Sequence, residues 1–320
     1  MTHSQRPQIA LPVAILGGIL AVSTASIFIR YAQQGAPSLV IAAYRLTFAS
    51  LVLAPLAIWR HRPELQSLTR RELLLGALSG FFLALHFATW ISSLEYTTVA
   101  SSVVLVTTTP LWVALLSPLV LKEPITRPVV IGMLLALVGG SIVGISDTCT
   151  IQNGLTCPPL IKFLQGKAMW GNFLALAGAW MAAGYLLIGR RLRAKMSLIP
   201  YIFVVYGMAA LVLIGIMFLS GNSPIGYTPQ TFIFMLLLAL VPQLLGHSTF
   251  NWALRYLPAS FVSVTLLGEP IGSTILAFFL LKESPTPLNI IGGTLILAGI
   301  YAASRIESKE TIEEAASINE

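Results

Sequence analysis

The amino-acid sequence predicts an all-α integral membrane protein, with ten transmembrane helices arranged as two inverted five-helix repeats and both termini in the cytoplasm. Three observations predict it. The 320 residues are 56% hydrophobic and only 10% charged, too little charge to cover a soluble surface of this length. The apolar residues lie in long unbroken blocks instead of a helical stripe or a strand alternation. The second half of the chain also repeats the first at a constant offset of 160 residues.

A hydrocarbon core of about 30 Å takes about 20 apolar residues per helix. The blocks run 10–29, 39–59, 73–94, 99–120 and 128–146, then 168–189, 198–219, 232–254, 260–281 and 288–304. They are numbered helices 1 to 10 below. The first has Arg6 ahead of it and small residues at Ala21, Ser23 and Ala25, as a secretory signal does. Its apolar run continues to Ile29, longer than a signal core, so a retained helix is expected. The expected organisation is a first repeat over 10–146, an extracytoplasmic loop over 147–167, a second repeat over 168–304 and an acidic cytoplasmic tail over 305–320.

The net charge of +7 is topological and carries no nucleic-acid reading. Alternate loops hold 14 Lys and Arg on one side, including Arg60, Arg70, Arg190 and Arg193, against four on the other, Arg30, Lys162, Lys167 and Lys282. The positive-inside rule puts the basic side, and both termini, in the cytoplasm. Cys149 and Cys157 then share the long outer loop, as a disulfide ring in an oxidising compartment or as two free thiols.

The repeat is gapless over 81–140 against 241–300, with 16 of 60 positions identical. It aligns Leu94 and Tyr96 with Leu254 and Tyr256, Pro110 with Pro270, Leu121-Lys122-Glu123 with Leu281-Lys282-Glu283, Gly132 with Gly292 and Gly139 with Gly299. Five helices per half is an odd number, so the second half is inverted. Such repeats are the architecture of many carriers that alternate access around a central site.

The Leu-Lys-Glu pattern followed by Gly and an apolar helix with Gly, at 121–140 and 281–300, resembles the EamA domain, as does the Gly268-Glu269-Pro270 run. The chain is identified on these marks as two tandem EamA domains of the drug/metabolite transporter superfamily. The resemblance implies a ten-helix carrier of the cell membrane for a small-molecule substrate, often an exporter of amino acids or related compounds. The loop with the two cysteines lies outside that pattern.

Several residues are candidates for the site. Pro110 and Pro270 fall mid-span at equivalent positions and free the carbonyls of Val106 and Leu266. Those carbonyls line a wet cavity, or are relieved by the hydroxyls of Thr107, Thr108 and Thr109. Glu269 is the sole acid near the middle of a span, equivalent to Thr109. A carboxylate there costs roughly 2.5–3.5 kcal/mol on insertion scales. It should therefore face the bundle interior, to couple protons, bind a substrate amine or make a helix–helix contact. Arg45 is the one basic residue well inside a span, roughly 10 Å below the outer surface at about 1.5 Å per residue. It either snorkels outward or reaches Glu269, if helices 2 and 9 are neighbours.

His86, His247, Gln243, Asn251 and Asn172 read as polar contacts between helices or as cavity lining. Trp59, Trp90, Trp170 and Trp252 fit interface anchors, whereas Trp112 and Trp180 fall mid-span, as core packing or as walls of a substrate path. Gly76/Gly80 and Gly140/Gly144 have the spacing of close helix contacts.

The sequence contains no Walker A loop, HExxH, Cys/His metal cluster or GxSxG. No cofactor or metal is expected, and ATP-driven transport by this chain alone is not. A secondary transporter of small metabolites is the expected function, with protons a candidate coupling ion. The alternatives are a membrane-embedded enzyme or a passive channel.

Overall fold

A computed structural model describes residues 11–120, 127–146, 149–151, 155–159, 166–257, 259–299 and 301. The tail over 305–320, Arg6, Lys122, Glu123 and Lys162 lie outside the described residues. Among those described, seven helices are long and apolar enough to cross a bilayer. They are helix 1 (Leu11–Gln33), helix 2 (Ser38–Arg60), helix 3 (Arg70–Ser93), helix 4 (Val99–Val120), helix 6 (Lys167–Arg193), helix 7 (Leu198–Leu219) and helix 8 (Pro229–Ala253). Three expected spans are shorter as apolar helices: Val130–Ser146 (helix 5), Gly268–Leu281 within helix 9, and Pro287–Gly299 (helix 10).

Helix starts follow their local chemistry. Thr69 opens helix 3 with a capping box: its hydroxyl accepts from Glu72 N at 3.2 Å, and its own N–H donates to Glu72 Oε2 at 2.9 Å. Thr98 and Thr228 cap helices 4 and 8 in the same one-sided way, each accepting from the backbone three residues on. Thr286 precedes Pro287, and its hydroxyl accepts from Asn289 N at 3.1 Å. The Asn289 amide then reaches Ser101 Oγ at 2.8 Å and Ser146 Oγ at 2.7 Å, tying helix 10 to helices 4 and 5.

The two halves make equivalent bonds. Arg30 Nη1 donates to Leu94 O at 2.6 Å, and Arg190 Nη1, 160 residues later, donates to Leu254 O at 2.7 Å. Gln33 Nε2 bonds Ile91 O at 2.9 Å, and Arg193 Nε bonds Asn251 O at 2.9 Å. Helices 5 and 10 meet on their glycines. A Cβ built on Gly139 would lie 2.6 Å from Gly292 O, and one on Gly299 would lie 2.7 Å from Gly132 O. Residue 139 of one helix therefore faces 292 of the other, and 132 faces 299, which is one contact and its repeat-related mate. Reciprocal contacts of this kind come from a two-fold relation. The pairing runs antiparallel, so the axis crosses the helices and one half is upside down relative to the other.

The glycine expectation holds for one pair and shifts for the other. A Cβ on Gly76 would meet Val204 Cγ1 at 2.8 Å, and one on Gly80 would meet Val205 O at 2.6 Å, so helices 3 and 7 pack closely there. Gly140 has only Leu105 Cδ2 at 3.8 Å, and Gly144 has nothing within 4 Å. Close approach in helix 5 belongs to Gly139, one position earlier.

Beyond helix 5, two-residue strands β1 (Thr150–Ile151) and β2 (Leu155–Thr156) pair antiparallel. Cys149 and Cys157 flank them and are joined by a disulfide, Sγ–Sγ 2.06 Å.

Candidate functional site

Helices 4 and 9 are both broken mid-span, at matching places. Helix 4 stops at Val106 and restarts at Thr109. Helix 9 stops at Thr265 and restarts at Gly268. Each restart precedes its proline, whose ring cannot sit in a continuing helix. The carbonyls thus released are satisfied locally: Thr109 Oγ1 donates to Val106 O at 2.8 Å, and Glu269 N donates to Leu266 O at 2.9 Å. The hydroxyl-relief reading therefore describes Val106, and neither carbonyl is left bare.

Against these breaks lies a partly open cavity lined by five helices. Helix 3 contributes His86 and Trp90, helix 4 Val106, Thr107 and Thr109, and helix 6 Ala182, Tyr185 and Leu186. Helix 8 contributes His247 and Phe250, and helix 9 Leu266 and Glu269. Three pairs in this lining are repeat-equivalent: Trp90 with Phe250, Val106 with Leu266 and Thr109 with Glu269. The cavity therefore lies where the pseudo-two-fold axis passes between the halves.

Glu269 is 8% exposed, and no hydrogen bond or ion pair to its carboxyl occurs among the described residues. It lies in the first turn of a restarted helix, the end at which the helix dipole favours negative charge. The Nδ1 atom of His86 meets Gly178 O at 2.9 Å, and its ring stacks on Trp90, centroids 5.8 Å apart. His247 lies 6.3 Å from His86 between ring centroids. Tyr185 is held by Asn251, to which its hydroxyl donates at 2.6 Å; the Asn251 amide in turn donates to Tyr206 Oη at 3.2 Å.

Glu269, Thr109, His86 and His247 thus meet at one place, and other sequence candidates stand off it. Pro110 is buried behind the break, and Pro270 faces a separate groove between helices 4, 9 and 10. Trp112 and Trp180 pack on each other, centroids 5.3 Å apart, with Trp112 Nε1 donating to Thr108 Oγ1 at 3.2 Å. Neither lines the cavity. Asn251 acts through Tyr185, and Asn172 joins Thr97 Oγ1 at 2.9 Å to Gly144 O at 3.3 Å as a helix contact.

Arg45 does not snorkel: it has no exposed surface. It bonds Gln243 of helix 8 at 2.9 Å and makes no ion pair with Glu269. Five lining residues were missed by the sequence reading: Trp90, Ala182, Tyr185, Leu186 and Phe250. Trp90 was expected at the interface but is 2% exposed, unlike Trp59 at 81%. Nothing in the sequence around Tyr185 distinguished its inward-facing phenol.

A helical membrane bundle broken at two symmetric points around a central cavity defines a class, the multi-pass membrane transporters. The family model described as "EamA-like transporter family" matches residues 10–145 and 169–305, and the chain belongs to that family. It is 25% identical over 279 residues to an uncharacterized transporter of Archaeoglobus fulgidus, covering 86% of this chain and 90% of the relative. A WAT1-related protein of Arabidopsis thaliana is 25% identical over 321 residues, covering 94% and 87%. The uncharacterized transporter YetK of Bacillus subtilis is 23% identical over 307 residues, covering 92% and 87%. A solved crystal structure superposes with a TM-score of 0.65 at 17% identity, covering 94% of this chain and 98% of that one, which shows a shared fold.

Proposed function

We propose that the chain is a secondary transporter that exports amino acids or related small metabolites by alternating access, with the central cavity as its substrate site. The observation that carries the reading is the lining of that cavity by equivalent positions of both halves at the two helix breaks. A site on the axis between inverted halves is reached from one side when one half tilts and from the other when its mate does.

Within the site, Glu269 is the ionisable group that couples substrate movement to protons. Symmetry places Thr109 at its mate's position, so the repeat itself does not require an acid there. Intramembrane carboxyls of this kind mark proton and substrate pathways. Both termini are cytoplasmic on the count of 14 against four basic residues.

Purified protein in proteoliposomes preloaded with a cell-derived metabolite mixture tests the reading. Release of specific metabolites, quantified by mass spectrometry and accelerated by an imposed proton gradient, is the expected result. Release no faster than from protein-free liposomes overturns it. Release of all small solutes regardless of chemistry points instead to a channel.

A further inference from the structure

Behind the cavity wall sits a buried guanidinium whose hydrogen-bonding capacity is mostly unused. Arg45 Nε donates to Gln243 Oε1 at 2.9 Å, and the guanidinium lies over the Phe87 ring, Cζ 4.0 Å from its centroid. Both Nη1 and Nη2 are buried without a partner, and so is Gln243 Nε2. Each of these three nitrogens carries two hydrogens and no lone pair able to accept. No carboxylate pairs with Arg45 among the described residues. The spot is thus rich in donors: Gln243 Oε1 is already taken, and the Tyr206 hydroxyl and Glu269 carboxyl, close enough to act on Arg45 electrostatically, make no hydrogen bond to Nη1 or Nη2.

Glu269 acts on this charge only from beyond ion-pair distance, and buried N–H groups left unbonded are costly, so the cluster is suited to an acceptor that arrives from outside. The chemistry of that acceptor follows from the donors. Water brings hydrogens of its own, whereas a carboxylate brings only acceptor sites and matches the planar fork of a guanidinium with two parallel bonds. The place is one ring away from the cavity. Phe87, beneath the guanidinium, lies 4.7 Å from His86 and 5.2 Å from His247 between ring centroids, and both histidines line the cavity.

The backbone supports the same point. Gln243 and His247 both belong to a nine-residue π-helical stretch, Ala239–His247, that interrupts helix 8. Such interruptions are rare and cluster at functional sites. This one puts the donor cluster and the cavity wall on the same irregular turn.

We propose that Arg45 and Gln243 form a carboxylate subsite adjoining the central cavity behind Phe87, so that the solutes carried must bear a carboxylate group. The inference rests on the transport reading above and adds the group by which the substrate is recognised. The arginine is a specificity-determining residue in this account, with Gln243 holding its Nε and adding an N–H pair.

Tryptophan fluorescence of the detergent-purified protein, with Trp90 in the cavity lining, is the readout. The probes are the twenty amino acids, each titrated against its own carboxamide, which keeps the side chain and amine and removes the anion. At least one amino acid should bind, and its carboxamide should bind at least about tenfold more weakly, equivalent to about 1.4 kcal/mol. In Gln243→Glu an internal carboxylate takes up the Arg45 donors. That variant should melt no lower than the parent and lose amino-acid binding by a similar factor. Equal binding of acid and carboxamide by the unaltered protein overturns the subsite without reference to any variant, as does undiminished amino-acid binding by Gln243→Glu. Transport of carboxylate-free solutes with no amino-acid binding also overturns the subsite while leaving the transporter reading in place. Transport of no solute at all removes that reading, and the subsite with it.

Discussion

Replacing Gly139 by alanine should loosen the joint between helices 5 and 10. The added Cβ would stand 2.6 Å from Gly292 O, 2.9 Å from Ile296 Cγ1 and 3.0 Å from Ile296 N. Two of these are backbone atoms that cannot turn aside. Ordinary contact begins near 3.4 Å, so the helices must separate by about 0.8 Å (3.4 − 2.6). A gap of that size forfeits a quarter to a half of the attraction of every atom pair it opens. Overpacking of this kind costs about 1–3 kcal/mol. Alanine also returns up to about 1 kcal/mol of helix propensity. Gly144→Ala measures that gain alone, since nothing lies within 4 Å of its built Cβ. Both variants would be unfolded by denaturant in mixed micelles and followed by tryptophan fluorescence. Gly139→Ala should fall below the unaltered protein while Gly144→Ala equals or exceeds it. If the two variants are equally stable, the close antiparallel crossing is wrong, and the two-fold relation inferred from it loses its support.

Three further outcomes are expected. Glu283 accepts from Arg30 Nη2 at 2.8 Å through Oε1 and from Val99 N at 2.9 Å through Oε2, each ion-pair side chain being 26% exposed. Glu283→Gln should therefore lower stability by about 1 kcal/mol, measured in the same micelle titration, and less so at high salt. Single cysteines at Thr2, Gln152 and Ser317, in a background lacking Cys149 and Cys157, should react with an impermeant thiol reagent in intact cells only at Gln152; labelling at either terminus reverses the orientation. Alkylation of freshly prepared membranes without reductant, followed by peptide mass spectrometry, should recover Cys149 and Cys157 as one linked species, and two alkylated thiols would contradict this.

The sequence carries depth along a span better than direction around it. Pro110 and Pro270 marked where helices 4 and 9 break because a proline disrupts its own turn whatever surrounds it. Glu269, His86 and His247 were legible as inward-facing because polar groups are costly in lipid. Which neighbour each one meets was not. Arg45 was set at a depth that made Glu269 a plausible partner, yet it bonds Gln243, because helix 2 packs against the π-helical stretch of helix 8. That stretch contains Pro242 within an apolar run, and nothing in the run announced a π-helix. Trp90 was read as an interface anchor from its nearness to a span end, whereas packing with His86 and Phe87 draws it into the cavity lining. Gly140 and Gly144 have the right spacing for close packing, but the contacting face runs through Gly132 and Gly139. A helix that is apolar all round leaves its orientation to its neighbours, so single-sequence reasoning has little hold on it.

The central claim is that the cavity with its lone carboxyl is the coupling site of a transporter. Glu269→Gln tests it most directly, since the change keeps the side chain's size and removes a charge the membrane disfavours, so insertion should be unimpaired. Proteoliposomes containing the variant should lose metabolite movement driven by a proton gradient while retaining exchange of labelled for unlabelled substrate across the bilayer. A Glu269→Gln protein that expresses normally and transports with unaltered pH dependence would contradict the account.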